Sequence, residues 1–170
     1  MVNRLSQLNH SLGVSLPQRT DAAGERFLTF PLTESYEGLV PLEALQGAVQ
    51  VPLHTILPIP ETPSSLLGIF SWRGEAVWTL DLAYFLGQRD SSGADQTYFS
   101  AIAQHHNQTL ALLVEKFRSV EIYNPQQDLL PMTGGMLSPE TAQFFRGYFR
   151  SDRDTPQFLL NLDAIFTLLG

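Results

Sequence analysis

One pattern occurs twice, and it limits what this chain can fold into more than any other feature. Trp78-Thr79-Leu80-Asp81-Leu82-Ala83-Tyr84-Phe85 is echoed by Leu160-Asn161-Leu162-Asp163-Ala164-Ile165-Phe166-Thr167. Each copy is a β-type run that enters an Asp able to cap a short apolar helix. The first copy stands just before the most polar stretch of the chain and the second at its C-terminus, so each closes one half. Two mainly β halves with the same ending suggest two small barrels packed together. The second helix, Asp163 to Leu169, is apolar on most of its surface and is expected to be buried between them.

The rest of the chain fits this reading. Phe27–Phe30 and Tyr36–Leu42 are β-type runs joined by Thr33-Glu34-Ser35. A helical turn is expected at Glu43–Gln46 and a strand at Ala48–Leu53. Pro58, Pro60 and Pro63 then mark a rigid connector, because proline cannot donate to a sheet ladder. Gly68–Trp72 and Ala76–Leu80 read as a strand pair joined by Arg73-Gly74-Glu75, and Leu82–Leu86 as a helix ended by Gly87. Residues 88–96 hold almost nothing apolar and read as a linker between halves at 26–87 and 97–170, with strand exchange between them left open. Beyond it, strands are expected at Thr97–Ala103, Thr109–Glu115, Arg118–Tyr123, Phe144–Phe149 and Gln157–Leu160. Asn124–Pro131 reads as a loop, and Ser138-Pro139-Glu140 as a helix start with Ser138 as the cap. Residues 1–25 read as a mobile arm in which Leu5, Leu8 and Leu12 have helical spacing.

Composition excludes several function classes. A chain of 170 residues can bury about 70% of its surface, so no metal or disulfide staple is needed. It has no Cys, hence no disulfide framework, no thiol nucleophile and no Cys-based zinc site; a cytoplasmic protein is expected. No apolar run approaches the roughly 20 residues of a membrane span, and no signal-peptide core is evident. A net charge of −7 and a single lysine, Lys116, oppose nucleic acid, anionic lipid and phosphate-rich ligands.

Catalytic constellations are missing. There is no nucleophile elbow, phosphate loop or dinucleotide fingerprint. Thr133-Gly134-Gly135-Met136 has no lysine behind it. His105 and His106 are the residues best suited to a metal by type. Neighbours on a strand face opposite ways, however, and Asn107-Gln108 after them makes a polar hairpin turn the better reading. Asp81 and Asp163 are explained as helix caps, and Pro60-Glu61-Thr62-Pro63 as a rigid turn. The expectation is a protein that is not an enzyme and takes neither metal nor cofactor. The alternatives are a small-molecule-binding or enzymatic β-barrel domain using Asp81, His105 and His106, or a kinase-binding regulator with no receptor contact.

One stretch carries a nameable pattern: Pro63-Ser64-Ser65-Leu66-Leu67-Gly68, then Ile69-Phe70-Ser71-Trp72-Arg73-Gly74, then Val77-Trp78-Thr79-Leu80-Asp81-Leu82. The order and spacing of Pro63, Gly68, Arg73, Gly74 and Asp81 resemble the CheW-like domain, the adaptor that joins bacterial chemoreceptors to the histidine kinase CheA. Phe27–Phe30 resembles its opening strand, Leu112–Val120 a later strand, tight turn and strand, and Phe158–Leu162 its closing strand, so the resemblance covers about 27–170. It implies a mainly β fold of two SH3-like five-stranded barrels around a shared core, with short helices including one at the C-terminus. It also implies a non-catalytic adaptor that couples methyl-accepting receptor tips to the regulatory domain of a CheA-type kinase. Such a protein is cytoplasmic and recruited to membrane-associated receptor arrays.

The resemblance further implies partner-binding positions. Arg73 stands at a hairpin tip, where a guanidinium reaches a partner carboxylate or helix C-terminal carbonyls. Gly74 beside it supplies a positive φ. Gly68 lies where the family brings a receptor tip close, Trp72 is a hot spot if exposed, Leu45 and Gln46 fall near one kinase-facing surface, and Tyr98 and Val120 near another. Three departures stand out. Ser71-Trp72 replaces the common Asn-Leu before Arg-Gly, Gln46 stands where an acidic residue is usual, and extra residues lie between Gln46 and Pro63. They point to a divergent paralogue of a motility or phototaxis pathway.

Overall fold

The computed structural model describes residues 24–87 and 96–169. The leucines proposed for a helix in the N-terminal arm, and 88–95 of the proposed linker, lie outside the described residues. Among the described residues ten strands and four short α-helices follow in chain order, with 3-10 turns at Leu42–Ala44 and Leu53–Thr55: β1 Glu25–Pro31, β2 Glu37–Pro41, β3 Leu45–Pro52, β4 Leu66–Trp72, β5 Glu75–Asp81, α1 Leu82–Phe85, β6 Thr97–His105, β7 Gln108–Val114, β8 Val120–Tyr123, α2 Pro125–Asp128, α3 Pro139–Ala142, β9 Phe145–Arg150, β10 Pro156–Leu160 and α4 Leu162–Leu169. The first three strands each end at a proline, which has no N–H for the next rung.

The strands form two five-stranded sheets, ordered β3-β6-β7-β5-β4 and β8-β1-β2-β10-β9. They lie in two compact units, one of Leu45–Lys116 and the other of residues 24–44 and 117–169. Neither sheet follows a continuous half of the sequence: β1 and β2 pair with strands from the C-terminal end, and β6 and β7 with strands from before residue 87. Read in those orders, the two sheets share one topology. The neighbours are antiparallel, antiparallel, parallel, antiparallel in both. The duplication inferred from the echo is therefore real at the level of topology.

Each unit buries its own core. In the first, Val51, Phe70, Val77, Tyr98, Ile102 and Leu113 meet on the inner face. In the second, Phe27, Leu39, Phe149 and Leu159 do so, and Tyr123 stacks on Phe149 with ring centroids 4.4 Å apart. Each such side chain contributes roughly 1.5–3 kcal/mol by leaving water.

The units also protect their outer strands alike. Leu57 exchanges backbone hydrogen bonds of 2.8 and 3.0 Å with Ile69 on β4, and Leu130 exchanges bonds of 2.8 and 3.0 Å with Tyr148 on β9. A connector thus covers an edge that would otherwise invite pairing with another chain.

Three local expectations are corrected. Asn124–Pro131 is not all loop, because Asn124 caps α2 with Pro125 in its first turn, the same signature that starts α3 at Ser138. Asp163 is not the cap of α4. The helix begins at Leu162, and the side chain of Asn161 accepts from the N–H of Ala164 at 3.2 Å, so Asn161, not Asp163, is the counterpart of Asp81. Nor is α4 buried over most of its surface. Leu162, Ile165 and Phe166 are buried at helical spacing, while Asp163, Thr167 and Leu168 face out.

Candidate functional site

The β4–β5 hairpin is built for a tight reversal. Trp72 and Glu75 are the last paired residues, leaving Arg73 and Gly74 as a two-residue loop with φ of 51° and 79°. Positive φ at both positions makes it the primed turn that matches strand twist. Glycine adopts that conformation freely, whereas a residue with a Cβ is disfavoured by roughly 1–2 kcal/mol. Arg73 therefore sits at the tip against its own backbone preference.

Its side chain does not project freely. The guanidinium carbon lies 4.4 Å from the centroid of the Trp72 ring. Trp72 is half-buried and packs against the core of its unit. Beneath both is Gly47 of β3: a Cβ built there would lie 3.1 Å from Trp72 Cζ2 and 3.8 Å from an Arg73 Nη. Because β3 and β4 are the two outer strands of this sheet, the contact shows it curling until its edges meet. Among the described residues, Arg73 has no hydrogen bond or ion pair. Its N–H fork remains available to a carboxylate.

The outer face of the same hairpin is apolar. Ile69 pairs with Trp78 on β5 and with Leu57 of the connector, so the three side chains form one row. Leu57 is 61% exposed and Trp78 38%.

Other expected site residues fall elsewhere. Gly68 is buried with φ of 135°, and a Cβ there would lie 2.0 Å from the Leu57 carbonyl oxygen. The space is filled by the chain's own connector, so Gly68 is a packing glycine rather than an open approach for a partner. Leu45 and Tyr98 are interior residues, 0% and 1% exposed, which corrects their placement on partner-facing surfaces. The carry-over failed because β3 begins at Leu45 with a bulge, and because the Tyr98 hydroxyl turns inward to Asp81. Gln46 is half-buried and donates to Gln104 across the sheet. Val120 is half-buried on β8 of the second unit, where it pairs with Leu28 of the same sheet. The structure thus brings Trp72, Arg73 and Gly74 together at one hairpin, while Tyr98 belongs to the core against which Trp72 packs. Gly47, Leu57 and Trp78 were not identified from the sequence; a glycine beside a β-type run is the one signal that pointed to a close approach at 47.

His105 and His106 sit at the β6–β7 hairpin, as the polar turn reading expects. His106 and Asn107 form its two-residue loop, with φ of 45° and 63°. That turn overrides strand alternation, so the two rings lie 4.1 Å apart rather than on opposite faces.

The second unit has a polar cavity of about 600 Å³ lined by Glu34, Tyr36, Glu37, Arg118, Asp152 and Arg153, among others. A chain of bonds crosses its wall. The Tyr123 hydroxyl donates to buried Gln157, whose amide donates to Glu37 at 2.6 Å, and Glu37 pairs with Arg118 at 2.9 Å. Burial, and after it the charges of Glu121, Asp152 and Glu37, hold the Tyr123 phenol above its ordinary range.

Comparison with known proteins settles the lineage. The family model for the CheW-like domain matches residues 26–169. The chain belongs to the CheW-like domain family. Among solved structures it is similar to the scaffolding protein TtCheW from Thermoanaerobacter tengcongensis, with a TM-score of 0.67 and 20% identity over 81% of this chain and 89% of that one. At that identity the likeness establishes the fold. No curated protein gave a match. CheW-like proteins are non-catalytic scaffolds of chemotaxis, which places this chain in signal transduction as an adaptor. No helix among the described residues is long and apolar enough to cross a membrane.

Proposed function

We propose that this CheW-like protein couples methyl-accepting chemoreceptors to a CheA-type histidine kinase, and that the β4–β5 hairpin tip is one of its contact points. The observation that carries the reading is Arg73, a charged residue at a left-handed turn position, with no carboxylate of its own among the described residues. An arginine kept where glycine or asparagine costs less is the sort of local conflict found at functional sites. The flanking chemistry agrees, since Trp and Arg are the residues most often dominant in protein–protein binding energy. The turn geometry supplied by Gly74 sets where Arg73 points. Gln46 and Val120, both half-buried, are secondary candidates. An adaptor with these partners works in the cytoplasm, at receptor arrays on the membrane.

The test is equilibrium binding of the full chain to a purified CheA-type regulatory domain and to a receptor cytoplasmic fragment. Arg73→Ala is expected to weaken at least one of the two about tenfold or more, with the melting temperature little changed. Equal affinity of wild type and variant for both partners would remove the hairpin tip from the interface. Failure of the wild type to bind either would overturn the coupling role itself.

A further inference from the structure

We infer that Trp72 is a positioning residue: its indole holds the Arg73 guanidinium over its ring at the rim of the first sheet, so that a partner carboxylate meets an arginine already in place. The inference deepens the proposed function and rests on its use of Arg73. Arginine has one of the most mobile side chains, and immobilising such a side chain at an interface is opposed by its lost rotamer freedom. Here much of that freedom is gone before binding. The guanidinium carbon is 4.4 Å from the indole centroid. The indole is itself wedged against the core and against Gly47. A guanidinium held over an aromatic ring keeps N–H groups to donate, and these take a carboxylate in bidentate fashion. Leucine at position 72 would fill the same gap without a face to stack on. The absence of a side chain at Gly47 is the second part of the device, because a Cβ at 3.1 Å would press the indole outward.

The stack itself is read by NMR. In the wild type the Arg73 side-chain signals should be shifted upfield by the indole ring current, and Trp72→Leu should return them to ordinary positions. Unshifted signals in the wild type would overturn the inference. Its consequence is read by a double-mutant cycle on binding to the CheA-type regulatory domain and the receptor fragment. Trp72→Leu should weaken the Arg73-dependent partner about three- to tenfold, the share of binding held by preorganisation. Trp72→Phe should recover most of it, to within about twofold, since a smaller ring still stacks on a cation. In an Arg73→Ala background, Trp72→Leu should change nothing further. Equal losses with and without Arg73 would make Trp72 a direct contact and overturn its positioning role, as would wild-type affinity in Trp72→Leu. If instead Arg73→Ala alone is silent toward both partners, the hairpin-tip reading fails first, and the two failures are thereby told apart.

Discussion

The hydroxyl of Tyr98 donates to Asp81 Oδ2 at 2.8 Å, and both residues are 1% exposed. The other carboxylate oxygen accepts from the backbone N–H of Tyr84 at 3.2 Å, so one buried side chain both caps α1 and anchors β6 to the end of β5. The bond joins strands that are not sheet neighbours, in the order β6-β7-β5, and so ties the inner layer of the first unit together. Hydrogen bonds to charged groups are worth more than neutral ones, and a buried carboxylate that loses a donor keeps its desolvation cost. Tyr98→Phe is expected to destabilise the protein by about 1.5–3 kcal/mol in urea unfolding. Affinity of the folded variant for a kinase regulatory domain should be unchanged, because Tyr98 reaches no surface. A loss of affinity without a loss of stability would return Tyr98 to an interface.

Two glycines with positive φ should differ sharply in what they tolerate. At Gly68 an added Cβ meets backbone, the Leu57 carbonyl oxygen at 2.0 Å and Pro58 Cα at 2.9 Å, and the connector can yield only by breaking its bridge to Ile69. At Gly74 nothing lies within 4 Å, and only the left-handed backbone resists a side chain. Gly74→Ala should cost about 1–2 kcal/mol. Gly68→Ala should cost more, about 2–4 kcal/mol, from clash and strain together. Denaturation midpoints measured side by side check the order, and equal losses would mean the connector is loosely held.

The strands were legible because their alternation is set locally, and the Asp81 cap because its helix starts immediately after it. Strand partnership was less legible. The pairing of β2 with β10, parallel and 120 residues apart at Glu37 and Gln157, depends on which apolar faces meet, which no local pattern encodes. The Trp72–Arg73–Gly47 cluster was half visible: the hairpin tip follows from Arg-Gly between two runs, but its closeness to β3 arises only from the curl of the whole sheet. Leu45 and Tyr98 were misplaced because the bulge at the start of β3 and the bond of the Tyr98 hydroxyl to buried Asp81 set which way each side chain faces, and a one-residue change of register turns a side chain from surface to core.

The end of the second half offers a test of cap against mere charge. The Asn161 side chain accepts from Ala164 N–H at 3.2 Å, and its carbonyl from Ile165 N–H at 3.2 Å, which puts Asn161 at the N-cap. Asp163 is exposed in the first turn, where a negative charge is stabilised by the helix dipole. Asn161→Ala should destabilise the protein by about 1 kcal/mol, and Asp163→Ala by a few tenths, about 0.3–1 kcal/mol at low salt and less at high salt. Thermal melts of the two variants at low and high ionic strength separate the effects. A larger, salt-independent loss from Asp163→Ala would restore it as the cap.

Alkaline unfolding should report the Tyr123 network. The phenol is held above its ordinary value in the fold, chiefly by burial and then by the nearby carboxylates Glu121, Asp152 and Glu37. The folded state therefore favours the neutral phenol. Below the unfolded value, near pH 10, both states carry the proton and Tyr123 contributes no pH dependence. Above it the unfolded chain releases the proton while the folded chain retains it, so stability falls as pH rises, by at most about 1.4 kcal/mol per pH unit for one proton. Tyr123→Phe removes this contribution and also leaves the buried Gln157 carbonyl without its donor. The variant should thus be less stable than wild type at pH 8, by about 1–3 kcal/mol, and the gap should narrow between pH 10 and 11. Urea unfolding of both proteins across that range is the measurement. A gap that stays constant would mean that Tyr123 ionises as readily in the folded chain as in the unfolded one.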